Sequence, residues 1–221
     1  MINILKMVVC VGLVLGFPFS AFNSMQAQIT HASQGRLDEN ATTVLGKAAK
    51  RMDNVKCTVT HTVLDSQKKQ QSQHTADVRY SHGKYRLAVA GQEIICDGTT
   101  VWHWNKQANE VTVSSVSDDD MDLLNPAKLV ANYSKNFRAK YIRTEDDGTA
   151  VIDLQPCSAQ SYHKLRLFVI EKDGILKRIE MHKYDSSREI FDFSGHKFTF
   201  PASSFTFDTK AHPGVEVIDM R

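Results

Sequence analysis

Tyr162-His163-Lys164-Leu165-Arg166-Leu167-Phe168-Val169-Ile170-Glu171-Lys172-Asp173-Gly174-Ile175-Leu176-Lys177-Arg178-Ile179-Glu180-Met181-His182-Lys183 reads as two strands folded back on each other. Leu165, Leu167 and Val169 alternate with Lys164, Arg166 and Phe168. Ile179 and Met181 alternate with Arg178, Glu180 and His182. A period of two puts one set on each face of a sheet. Between the runs, Lys172-Asp173-Gly174 supplies the turn, with glycine able to take the positive φ that a tight hairpin needs. A chain built from such hairpins is an antiparallel sheet with one apolar face.

The same period extends outward in both directions. Towards the N-terminus, Cys57, Val59 and Val63 alternate with Thr58, Thr60 and Thr62, and the basic Gln67-Lys68-Lys69-Gln70 stretch reads as a solvated hairpin. Strands are expected over 76–81, 84–90, 93–97, 100–104 and 110–116, turning at Ser81-His82-Gly83 and Asp97-Gly98. Further strands are expected over 139–144, 149–155 and 188–193, with short closing stretches at 198–201, 205–207 and 215–219.

Two helical segments interrupt the β pattern. Val44, Leu45, Ala48, Ala49, Met52 and Val55 recur at helical spacing after a cap at Asp38 or Asn40. Asn125-Pro126 then opens a shorter helix whose apolar residues are Leu129, Val130, Tyr133 and Phe137, preceded by Met121, Leu123 and Leu124. About ten to eleven short strands with about three helices predict a mainly β fold, a half-open antiparallel barrel capped by a helical lid. A sheet of that size with so little helix leaves room inside for an apolar ligand.

Residues 1–27 have the layout of a secretory leader: Lys6, an apolar run from Met7 to Phe22 broken by Pro18, then Met25-Gln26-Ala27 before Gln28. The run is short for a membrane span, so a cleaved leader and one soluble domain over 28–221 are expected. Bulky Val9 before Cys10 argues against a lipid-modified N-terminus.

The formal net charge of +2 falls by one when Lys6 leaves, which gives no electrostatic footprint for nucleic acid. Of the four cysteines, Cys57, Cys96 and Cys157 remain. An odd number leaves at least one thiol unpaired, whichever two join, and small buried hydrophobes is the plainer reading. The nine histidines are scattered. No Gly-x-Ser-x-Gly, phosphate loop or His-Glu-x-x-His occurs, and 118–122 lacks the Gly and terminal Glu of a calcium loop. The expectation is a binding protein with no enzyme activity, no metal and no cofactor.

The expected apolar interior comprises Cys57, Val59, Leu87, Val89, Ile94, Trp102, Trp104, Ile152, Leu154, Leu165, Leu167, Val169, Ile179 and Met181. Trp102 and Trp104 are two apart and therefore share a face. They are read either as core or as a greasy cavity wall. The lid set is Leu123, Leu124, Leu129, Val130 and Tyr133.

Two stretches resemble the outer-membrane lipoprotein carrier family, LolA, and its Bacteroidetes-type members in particular. One is Gly91-Gln92-Glu93-Ile94-Ile95-Cys96-Asp97-Gly98-Thr99-Thr100-Val101-Trp102-His103-Trp104-Asn105, continuing through Asn109-Glu110-Val111-Thr112. The other is Phe205-Thr206-Phe207-Asp208 followed by His212-Pro213-Gly214-Val215-Glu216-Val217-Ile218-Asp219. Between them, Asn125-Pro126-Ala127-Lys128-Leu129 resembles the family's Pro-initiated lid helix. The resemblance implies an unclosed barrel that receives lipoprotein acyl chains from an inner-membrane release complex. It implies delivery to an outer-membrane acceptor, which the sequence does not identify, by a monomer in the periplasm. In better-known members an Arg before a Pro in the second hairpin contacts the lid; here that place reads Ser81-His82-Gly83-Lys84, so no such Arg is carried over. The rival readings are the same half-barrel holding another lipid or glycolipid, an envelope sensor of mislocalised lipoproteins, and an enzyme with an unrecognised site.

Overall fold

The computed structural model describes residues 38–116, 126–199 and 205–221. In chain order the elements are α1 (Glu39–Met52), β1 (Asn54–Leu64), β2 (Gln70–Ser81), β3 (Lys84–Val89), β4 (Gln92–Cys96), β5 (Thr100–Asn105) and β6 (Glu110–Ser115). Then come α2 (Pro126–Asn136), β7 (Phe137–Thr144), β8 (Thr149–Pro156), β9 (Tyr162–Ile170), β10 (Ile175–Lys183), β11 (Arg188–Lys197), a 3₁₀ turn (Thr209–Ala211) and β12 (Glu216–Asp219).

All twelve strands join one sheet, in the order β12-β6-β5-β4-β3-β2-β1-β11-β10-β9-β8-β7. Two meanders, β1 to β6 and β7 to β11, meet where β1 pairs antiparallel with β11, His61 opposite Phe191. Every pairing is antiparallel except the last, in which β12 runs parallel to β6. The edges β7 and β12 do not pair with each other, so the sheet is unclosed.

The twelve strands among the described residues exceed the ten or eleven expected, and the boundaries differ where pairing overrides pattern. β2 begins at Gln70, well before the apolar alternation, because β1 pairs with its polar residues, such as Thr62 with Gln73, across one irregularity at Gln71. Conversely, Phe198 and Phe205 to Phe207 are not strand. Phe198 instead lies under the Arg51 guanidinium, 3.6 Å from its ring centroid, and Phe207 is buried by side-chain packing.

One face of the sheet, here the inner face, carries both helices. α1 buries Ala41, Val44, Leu45, Ala48 and Met52, and packs on β1, β7 and β10. Each such large side chain contributes about 1.5–3 kcal/mol on burial. Asp38 fixes where this helix starts. Its Oδ1 accepts from the Ala41 N–H at 3.0 Å, and its Oδ2 accepts from the Tyr141 N–H of β7 at 2.8 Å. The Ala41 bond, then the Tyr141 bond, hold the Asp38 carboxyl below its ordinary range. One carboxylate therefore caps the helix and ties it to the sheet edge.

At the β9–β10 turn, Gly174 (φ +68°) lies so close to α1 that a Cβ there would sit 2.7 Å from the Lys47 carbonyl carbon. On the outer face the alternating charges pair across strands. Asp153 on β8 accepts from Arg166 at 2.7 and 2.9 Å and lies 3.3 Å from Lys164. Arg178 on β10 donates to Asp192 on β11 at 2.6 Å.

Candidate functional site

Strand parity decides what lies on the inner face, which is apolar over most of β1, β3 and β8 to β11 and turns polar towards β5 and β6, where His103 opposes Ile94 and Thr112 opposes His103. Cys57, Leu87, Ile94, Ile152, Leu154, Leu165, Leu167, Val169, Ile179 and Met181 are all buried in one cluster with the apolar residues of α1. Val59 is half-buried against that cluster, and Val89 is half-buried. Tyr80, Tyr85, Cys96, Val101, Phe191 and Phe193 belong to the same cluster. Alternation on their own strands could have marked them.

Trp102 and Trp104 require a correction. They share a face as expected, but it is the outer one. Directly opposed residues point the same way, and Trp102 opposes Ile95, not Ile94. Ile94 lies in the inner cluster, whereas Ile95, Val111 and Phe207 form a separate one with Trp102, Trp104 and Val215. Trp104 packs edge-on to Phe207, with centroids 5.4 Å apart, and sits 4.1 Å from the His212 ring. The pair is thus a seat for the chain's own C-terminal segment, which goes on to pair as β12.

Of the expected lid residues, Leu129, Val130 and Tyr133 are buried in the inner cluster. Leu123 and Leu124 fall outside the described residues, as does the expected leader. α2 packs on α1 and β7. The Tyr133 and Thr42 hydroxyls, 3.0 Å apart, join the two helices.

The cysteines are free: Cys57 and Cys96 buried, Cys157 exposed. Burial, aided by the Asp77 charge, pushes the Cys57 thiol up to about 12, so it behaves as a small hydrophobe and not a nucleophile. Among the described residues no group of three His, Cys, Asp or Glu could hold a metal ion.

One polar feature of this face was not anticipated. His61 shares the parity of Cys57 and Val59 on β1, stacks on Phe191 at 4.4 Å, and is only 6 % exposed. Its Nε2 lies 2.9 Å from Glu189 Oε2, and Lys183 Nζ lies 2.5 Å from Glu189 Oε1. Burial raises the Glu189 carboxyl, but the His61 and Lys183 hydrogen bonds and the Lys183 charge outweigh it and leave the group below its ordinary range.

Residues 60–208 match the family model "Outer membrane lipoprotein carrier protein LolA". The outer-membrane lipoprotein carrier protein of Histophilus somni is 27% identical over 187 residues, covering 82% of this chain and 89% of that one. The protein of the same name from Coxiella burnetii is 25% identical over 156 residues, covering 64% of this chain and 72% of that one. An uncharacterised conserved protein of Thermus thermophilus superposes with a TM-score of 0.52 at 12% identity, over 82% of this chain and 99% of that one, which shows a shared fold. With more than half of its length matched in one unbroken stretch, the chain belongs to the outer-membrane lipoprotein carrier family, LolA.

Proposed function

We propose that the protein is exported to the periplasm, where as a monomer it holds the acyl chains of outer-membrane lipoproteins against the inner face of its sheet. It takes them from an inner-membrane release complex and hands them to an outer-membrane acceptor. The observation that carries this reading is the inner face itself. It is apolar across most of an unclosed sheet, and the two helices on it are short segments with their own apolar stripes. A helix of 11 residues such as α2 is marginal alone and holds its place through packing. Acyl chains can supply the same apolar contacts when it moves.

The energetics favour partial burial. Each methylene fully buried contributes about 0.8 kcal/mol, so one palmitoyl chain approaches roughly 12 kcal/mol. Several chains fully enclosed would not leave on a useful timescale. A loading step that exchanges helix contacts for acyl contacts keeps the net affinity moderate. Among the described residues no helix is long and apolar enough to cross a membrane, and the proposed export signal is residues 1–27, on the leader-like layout of the sequence.

Mass spectrometry of the protein isolated from the periplasm of its own cells tests this. The expected species is the mature chain with an acylated polypeptide bound. Recovery of only a free lipid or glycolipid would support a different cargo on the same sheet. A protein without bound acyl groups that also fails to bind a palmitoylated peptide would contradict the proposal.

A further inference from the structure

The inner face needs no polar group to hold alkyl chains, yet it carries His61. The imidazole is buried, and its Nδ1 has no hydrogen-bond partner among the described residues. Such an atom is costly to leave unsatisfied, by the desolvation of one acceptor. Its environment also fixes what it can do. Glu189 sits between Lys183 and His61 as a carboxylate, so it accepts, and the hydrogen of the ring lies on Nε2. Nδ1 is then the ring atom left without a partner, and it is a lone-pair acceptor whenever the ring carries its hydrogen on Nε2 alone. Stacking on Phe191, with the rings 5° from parallel, holds that orientation.

Resting on the carrier reading, we infer that His61 is the polar subsite of the acyl-binding face: its Nδ1 accepts a hydrogen bond from the amide N–H that joins an acyl chain to a polypeptide. Alkyl chains lie on the leucines, isoleucines and phenylalanines around it, and the amide marks where chain becomes protein. A free fatty acid ester has no N–H to give. The subsite therefore favours an N-acylated polypeptide over ester-linked acyl chains. Glu189 and Lys183 are positioning residues that set the tautomer.

Three probes with the same palmitoyl chain test this: a palmitoylated peptide with an amide N–H, the same peptide N-methylated at that amide, and methyl palmitate. The wild type is expected to bind the amide probe about tenfold more tightly than the N-methyl probe, the effect of one lost buried hydrogen bond. His61→Phe keeps the stack but has no Nδ1. It should bind the amide and N-methyl probes alike and bind methyl palmitate as the wild type does. His61→Asn, which returns an acceptor oxygen near the Nδ1 position, should recover part of the preference. Equal binding of the two peptide probes by the wild type overturns the inference whether or not the variants fold. So does a His61→Phe variant that loses methyl palmitate as strongly as the amide probe. If the wild type binds none of the three, the carrier reading falls and this inference with it.

Discussion

Gly174→Ala is expected to lower stability by roughly 2–5 kcal/mol, a large effect for one methyl group, through two separable causes. The positive φ of +68° is a left-handed conformation that costs an L-residue about 1–2 kcal/mol. Beyond that, the new Cβ would lie 2.7 Å from both the carbonyl carbon and the oxygen of Lys47, and 3.0 Å from the Ala48 nitrogen. These are backbone atoms of α1 and cannot rotate aside, so the helix must lift from the β9–β10 turn. Overpacking of that kind costs about 1–3 kcal/mol. Gly83→Ala separates the two terms: its φ is +81° with nothing within 4 Å, so only the conformational cost applies. In thermal unfolding Gly174→Ala should fall by on the order of 10 °C, and Gly83→Ala by less than half of that. Equal losses would mean that α1 is not seated on this turn.

The second large effect is expected in α2. Leu129 is 2% exposed and lies in the cluster shared with α1. Leu129→Ala should weaken docking of the helix by about 2–5 kcal/mol, and Tyr133→Phe, which breaks only the bond to Thr42, by about 1 kcal/mol. Hydrogen exchange should quicken in α2, in proportion to these values, while β9 and β10 keep their protection. The functional consequence follows from the exchange of contacts on loading. If the helix leaves when acyl chains enter, Leu129→Ala destabilises the empty closed state and spares the loaded one. Affinity for a palmitoylated peptide should then rise about tenfold or more, and handover to an acceptor should slow. A fall in affinity would show that α2 stays on the ligand. No change in either quantity would make α2 ordinary packing and not a lid.

The parts legible from sequence are those where local pattern and tertiary pairing agree. β10 matches its expected span of Ile175–Lys183, and α1 begins at a cap that the sequence named, Asp38. Where both faces of a strand are apolar, the pattern cannot say which is inner. Ile94, Ile95 and Cys96 are all buried, so the face taken by Trp102 and Trp104 depended on the register across the Asp97-Gly98 turn. Polar strands were equally hidden: the first half of β2 exists because β1 pairs with it. Phe205 and Phe207 looked like strand residues, but the segment is shaped by a side chain docking on Trp104. His61 was visible only as a histidine in a strand. Its parity with Cys57 and Val59 was the available sign of an inward direction, and the partners that give it meaning, Glu189 and Lys183, are more than a hundred residues away.

Release of a lipoprotein from inner-membrane vesicles reads out the proposed carrier function itself. Energised vesicles carrying a labelled lipoprotein destined for the outer membrane are incubated with the mature protein and then sedimented. The label is expected to move into the supernatant as a stoichiometric complex with this protein, and to stay with the vesicles when the protein is omitted. Label that stays with the vesicles in the presence of the folded protein and a working release complex would contradict it.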